Sequence, residues 1–162
     1  MNDPIHRVDH SAIRVNQATI ITLLLVAFVV NVPWLVALVA LVMLIGTIWR
    51  QPGFKPIYAG LLMPRGIVKP DVILDNPQPH VFAQGMGGAV LVIGTIAFVL
   101  GNSLVGWALA WLVIALAALN LFVGFCAGCF VYYWLSRLRV PGFGAQPLPG
   151  TFPGMRPSGK TS

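Results

Sequence analysis

Residues 18–49 read ATIITLLLVAFVVNVPWLVALVALVMLIGTIW, one apolar block interrupted at Asn31-Val32-Pro33-Trp34. As a single helix this block would run about 48 Å, far beyond a hydrocarbon core of about 30 Å. Asn-x-Pro is a turn and helix-start signal, and proline suits the first turn of a helix, where its missing N–H costs nothing. The stretch therefore predicts two helices, 14–30 and 33–49, joined by a tight turn. Residues 81–135 repeat the logic, with Gly101-Asn102-Ser103 dividing them into helices over 81–100 and 104–136.

Composition points the same way. The 162 residues are 57% hydrophobic and 9% charged, with a mean hydropathy of +0.84. A soluble domain carries about 25% charged residues to cover its surface, so this exterior calls for lipid. Residues 1–16 are largely polar, and the apolar stretch after them is too long for a signal h-region, so no cleaved leader is expected.

The net charge of +6 does not read as a nucleic-acid footprint. All ten Lys and Arg residues and all four Asp residues lie before residue 17, within 50–80 or after 136. None sits in an apolar run, where a charge at the bilayer centre costs about 2.5–3.5 kcal/mol. The closed ends of the two hairpins carry no charge, and the positive-inside rule then places both termini and the central loop in the cytoplasm.

The expected fold is an all-α protein of the inner membrane with four transmembrane helices in two hairpins. Residues 1–13 form a cytoplasmic amphipathic segment and 14–49 the first hairpin. Residues 50–80 form a Pro-rich loop with a short interfacial helix near 57–63. The second hairpin spans 81–137, and 138–162 is a flexible Pro/Gly-rich tail.

On a continuous last helix, Gly106, Ala110, Ala117, Gly124 and Gly128 line one side. Gly124-x-x-x-Gly128 is a small-x-x-x-small pair, a face for a neighbouring helix or for a homo- or hetero-oligomer. Leu119, Phe122, Cys126, Cys129, Tyr133 and Arg137 line the other side. Tyr132-Tyr133-Trp134 resembles an interfacial belt, which puts the two cysteines about 4–10 Å deeper, near the cytoplasmic surface. Arg14, Gln17, His80, Gln84 and Arg137 are the polar residues expected around them.

Cys126-Ala127-Gly128-Cys129 holds the only two cysteines of the chain. Two readings stand side by side: small apolar filler of a membrane helix, or a redox pair that exchanges electrons or sulfur. A disulfide between them requires the helix to relax near Gly128. A reducing cytoplasm would keep the pair as a dithiol, with Cys129 attacked first and Cys126 resolving. No metal site is assigned, because two thiolates leave a tetrahedron half filled without histidine or a second subunit. His6 and His10 have metal-binding spacing beside Asp9, yet are expected on a solvated helix at the membrane surface. Gln84 and Asn120 are expected to be hydrogen-bonding glue between helices. No P-loop, dinucleotide fingerprint or metalloprotease motif is present, so the sequence names no cofactor and leaves enzymatic activity open.

Val8-Asp9-His10, Arg14-Val15-Asn16-Gln17, Pro79-His80-Val81-Phe82-Ala83-Gln84 and Gly124 to Tyr132 together resemble an uncharacterised bacterial integral membrane family, a domain of unknown function. The resemblance covers residues 5–138 and aligns the family's C-x-x-C with Cys126 and Cys129. Members tend to occur beside thioredoxin-like proteins and thiosulfate sulfurtransferases. The resemblance thus implies a thiol-redox or sulfur-handling partner of such a cytoplasmic protein. The alternatives are an accessory or scaffold subunit of a membrane complex and a carrier for a small sulfur compound.

Overall fold

The structure, a computed structural model, describes residues 6–157. Its elements run β1 (His6–Asp9), α1 (His10–Val29), α2 (Pro33–Ile48), α3 (Lys55–Ile57), β2 (Val72–Asp75), α4 (Pro77–Val99), α5 (Ser103–Ala118) and α6 (Ala127–Arg137). Helix α3 continues as a π-helical turn, Tyr58–Leu62, and α5 as another, Leu119–Val123. The chain is mostly helical.

The Asn-x-Pro turn forms where the sequence places it. Asn31 takes a left-handed conformation (φ 54°), which asparagine tolerates better than most residues, and Pro33 opens α2. Gly101, with φ 79°, makes the equivalent turn between α4 and α5. The four long helices close into a ring in which α1 packs on α2, α2 on α4, α4 on α5 and α5 on α1. Ile20, Leu24, Val36, Val39, Met43, Leu91 and Val113 fill its centre. Helix α6 lies outside the ring against α4.

Three segments are long and apolar enough to cross a membrane: His10–Val29, Pro77–Val99 and Ser103–Val123. Helix α2 is shorter at 16 residues. The outward residues near the hairpin turns, such as Val29, Trp34, Val99, Leu100 and Leu104, are large, apolar and exposed. Such a surface suits lipid rather than water.

Four expectations are corrected. Residues 6–9 are not a solvated helix: they form a strand paired antiparallel with β2, with His6 opposite Asp75 and Asp9 opposite Val72. The part of 1–13 before residue 6 lies outside the described residues. Helices α1 and α4 each begin about a turn early, at His10 and Pro77, which brings both histidines into helix. The last long helix is not continuous: it ends in the π-helical turn and restarts at Ala127.

The tail is not loose over its described length. Asn76 Nδ2 donates to Gln146 O at 2.8 Å, Ala145 is buried, and Phe143 packs edge-on against Phe82 and Tyr132. Phe152 stacks on Phe130 with ring centres 6.2 Å apart. Residues 158–162 lie outside the described residues.

Candidate functional site

The break before α6 builds the site. Gly124 adopts φ 73°, a conformation that strains any side-chain-bearing residue, and Cys126 is extended at φ −95°, ψ 101°. The backbone groups freed there pair with the returning tail: Cys126 N–H donates to Gly154 O at 2.8 Å, and Arg156 N–H donates to Gly124 O at 3.0 Å. The Arg156 side chain also pairs with Asp71. Gly124 and Gly128 therefore do not share one helix seam. Gly128 alone makes the close approach, where a Cβ would sit 2.5 Å from Ala83 Cβ on α4.

Cys126 becomes the N-cap of α6, and its sulfur accepts the Cys129 N–H at 3.2 Å. A thiolate in that position is favoured by the N–H and by the positive end of the helix dipole. The two cysteines form a disulfide, with Cα atoms 5.1 Å apart. The relaxation that permits it lies at Gly124–Cys126 rather than at Gly128.

The strand pair supplies the partners. Asp75 ends β2, and its Oδ2 accepts from His10 Nε2 and from His80 Nε2, each at 3.0 Å. Its Oδ1 accepts the Asn76 N–H at 2.7 Å. Burial alone would raise the Asp75 pKa. The hydrogen bonds from His10 and His80, the charge of His80 and the Asn76 N–H outweigh that and hold it well below the usual carboxylate range.

An ionised carboxylate only accepts, so the Nε2 of each imidazole carries a proton. His80 then turns Nδ1 towards Cys129, 3.5 Å from its sulfur. Neutral, that nitrogen offers a lone pair; as imidazolium, it offers a proton. Cys129, His80, Asp75 and His10 thus form a continuous chain of contacts, with the two imidazoles edge-to-face at 5.6 Å.

Two cavities flank the disulfide. One, of about 260 Å³, is bordered by His10, Arg14, Gln17, Asn120, both cysteines and the tail at Gly154–Arg156. The other, of about 310 Å³, reaches from Asn120 and Cys126 past His80 and Gln84 to Arg50 and Gln51. Cys126 and His80 border both.

Of the residues singled out from the sequence, His80 touches a sulfur, and Arg14 and Gln17 border the smaller cavity. Gln84 is occupied elsewhere. Its Nε2 donates to Met43 O at 3.0 Å and Gln51 O at 3.1 Å, and its Oε1 accepts from Gly53 N at 3.1 Å and Asn16 Nδ2 at 3.4 Å. Arg137 is exposed at the far end of α6 and borders neither cavity. Asp75 and the buried His10 were not expected here. A faint signal existed, since Asp75 stands just ahead of the Asn76-Pro77 helix start and five residues before His80.

The family described as Domain of unknown function (DUF4395) matches residues 8–137, a span that contains all four of these groups. No curated protein and no solved structure matches the chain.

Proposed function

Since the chain belongs to the DUF4395 family, whose description assigns it no reaction, we propose from its own geometry that it carries out thiol–disulfide exchange with a dithiol partner protein of the thioredoxin-like class. The observation that carries this reading is a C-x-x-C disulfide at a helix N-terminus, with a His80–Asp75 relay against its second sulfur. As filler, the cysteines would need neither the cap nor the imidazole.

The contacts favour an order opposite to the one that depth alone suggests. A thiolate of the partner attacks Cys126 Sγ, forming a mixed disulfide as the Cys126–Cys129 bond breaks. Cys129 leaves with the electron pair and takes the proton of His80 Nδ1, while Asp75 keeps the ring oriented. A second thiolate of the partner then attacks its own mixed-disulfide sulfur, and Cys126 leaves as a thiolate held by the Cys129 N–H. The partner's dithiol has become a disulfide and this chain's disulfide a dithiol, a transfer of two electrons. In reverse, neutral His80 draws the proton from Cys129.

We place the protein in a bacterial inner membrane with four spans and both termini cytoplasmic. The Lys and Arg pattern supports this orientation, and α2, at about 24 Å, would cross with local thinning of the bilayer. The site lies at the charged end of the bundle, on the side a cytoplasmic partner would approach, and because both cysteines are buried the exchange requires a local opening around them.

Alkylation-based trapping in membranes tests the exchange. A reduced thioredoxin-like protein should convert the chain from no free thiols to two. Cys129→Ser, whose Cys126 is a free thiol, should attack the disulfide of the oxidised partner and accumulate a mixed disulfide through Cys126, and Cys126→Ser should form none. A pair that ignores the dithiol partner, or a mixed disulfide that forms through Cys129 instead, would overturn the reading.

A further inference from the structure

With the disulfide open, the same end of α6 presents three soft or borderline ligand atoms to one point. We propose that the dithiol form binds a thiophilic metal ion of the Zn²⁺ type through Cys126 Sγ, Cys129 Sγ and His80 Nδ1, with a fourth position open to the smaller cavity. The inference rests on the exchange reading only in requiring that the pair can be reduced.

The geometry is close to what such an ion needs. The three ligand atoms lie within 4.8 Å of one another. Tetrahedral zinc with Zn–S of about 2.3 Å and Zn–N of about 2.0–2.1 Å sets the S···N edge at about 3.6 Å. Cys129 Sγ and His80 Nδ1 already stand 3.5 Å apart. The sulfurs must separate to about 3.8 Å once their bond is gone, and the third edge, Cys126 Sγ to His80 Nδ1, lies within 4.8 Å. The N–H that Cys129 gives to Cys126 Sγ remains available to stabilise a bound thiolate.

The surroundings complete the case. A metal-bound histidine usually donates its other nitrogen to a carboxylate, which fixes the tautomer and raises ligand basicity. Asp75 occupies that place on His80. His10, Asp75 and His80 are also near enough to group around an ion. Asp75 Oδ2 there already accepts both imidazole N–H groups, so this trio acts as the outer support rather than as the ligands. The smaller cavity beside the three ligand atoms is bordered by Gln17 and Asn120, neutral groups suited to a bound water or small ligand, and by Arg14 and Arg156. Three protein ligands and one open position are the pattern of reactive rather than purely structural zinc.

Oxidation and metal binding then exclude one another. Forming the disulfide consumes both thiolates and expels the ion, and a bound ion shields the thiols from oxidants.

The test is an anaerobic titration of the untagged, full-length, reduced chain in detergent with Co²⁺, whose thiolate charge-transfer and tetrahedral d–d absorption report the ligands directly. We expect one equivalent bound, displaced by Zn²⁺, and no binding by the oxidised chain. Asp75→Asn should weaken affinity by about 10–100-fold. His80→Ala and, independently, Cys126→Ser should lose the tetrahedral thiolate spectrum. Two free thiols per chain with no cobalt–thiolate band would overturn the metal site and leave the exchange reading standing. A band that survives His80→Ala would overturn the ligand set. A pair that no reductant opens would overturn both readings, and the thiol count distinguishes that case.

Discussion

Two polar networks lie one turn apart on the same side of α4, and they are built to opposite ends. Gln84 distributes its amide over Met43 O, Gln51 O, Gly53 N and the Asn16 side chain. All four of these groups are neutral, and three are backbone. Every capacity of the amide is spent on tying α1, α2 and the loop after α2 to α4. One turn earlier, His80 spends only Nε2, on Asp75, and leaves Nδ1 against a sulfur. Asp75 is engaged by two imidazoles and a backbone N–H, and the nitrogen left facing a sulfur belongs to His80. A network with no capacity left fixes helices; one with a single nitrogen left beside a sulfur can do chemistry.

Substitution should separate them. His80→Ala should slow exchange with a dithiol partner by roughly 10²–10⁴-fold, the range of a positioned acid–base group. Stopped-flow thiol trapping would measure it, and a rate within twofold of the parent would assign His80 to packing. Gln84→Leu should act the other way. It strands the Gly53 N–H, while Met43 O keeps the Thr47 hydroxyl, costing about 1–3 kcal/mol in thermal unfolding in detergent. Its exchange rate should stay within about twofold. If Gln84→Leu slows exchange as much as His80→Ala does, the two networks are one.

The contrast also marks what could be read from the chain. Pro33 and Gly101 announce their turns because each changes backbone preference locally, inside an apolar run that could not otherwise end. The break before α6 had no such marker. Leu119–Val123 is apolar apart from Asn120, and Gly124 sits four residues from Gly128, which reads as a packing seam on an unbroken helix. What decides otherwise is the backbone of Gly154 and Arg156, some thirty residues away, taking the hydrogen bonds a continued helix would have used. His80 was legible as a polar residue at the right depth. Asp75 and His10 meet only because two four-residue strands pair across more than sixty positions, and neither strand is long enough to show a period-two pattern of its own.

The tail sharpens the comparison from a third side, since it touches the reactive network and not the amide one. Gly154, with φ 85°, gives its carbonyl to the Cys126 N–H. A Cβ there would stand 2.9 Å from Cys126 O, a backbone atom that cannot swing aside. Gly154→Ala should therefore loosen the tail from the cysteine turn at the cost of about one backbone hydrogen bond, 0.5–1.5 kcal/mol. If access to Cys126 is limited by local opening, that energy appears as a roughly twofold to tenfold faster reaction of the reduced chain with a bulky maleimide. Thermal stability should move little, because the core between α1, α2, α4 and α5 is untouched. An unchanged maleimide rate would mean that reagents reach the sulfur through the larger cavity, past His80 and away from the tail. The smaller cavity would then hold the open metal position without serving as the entrance.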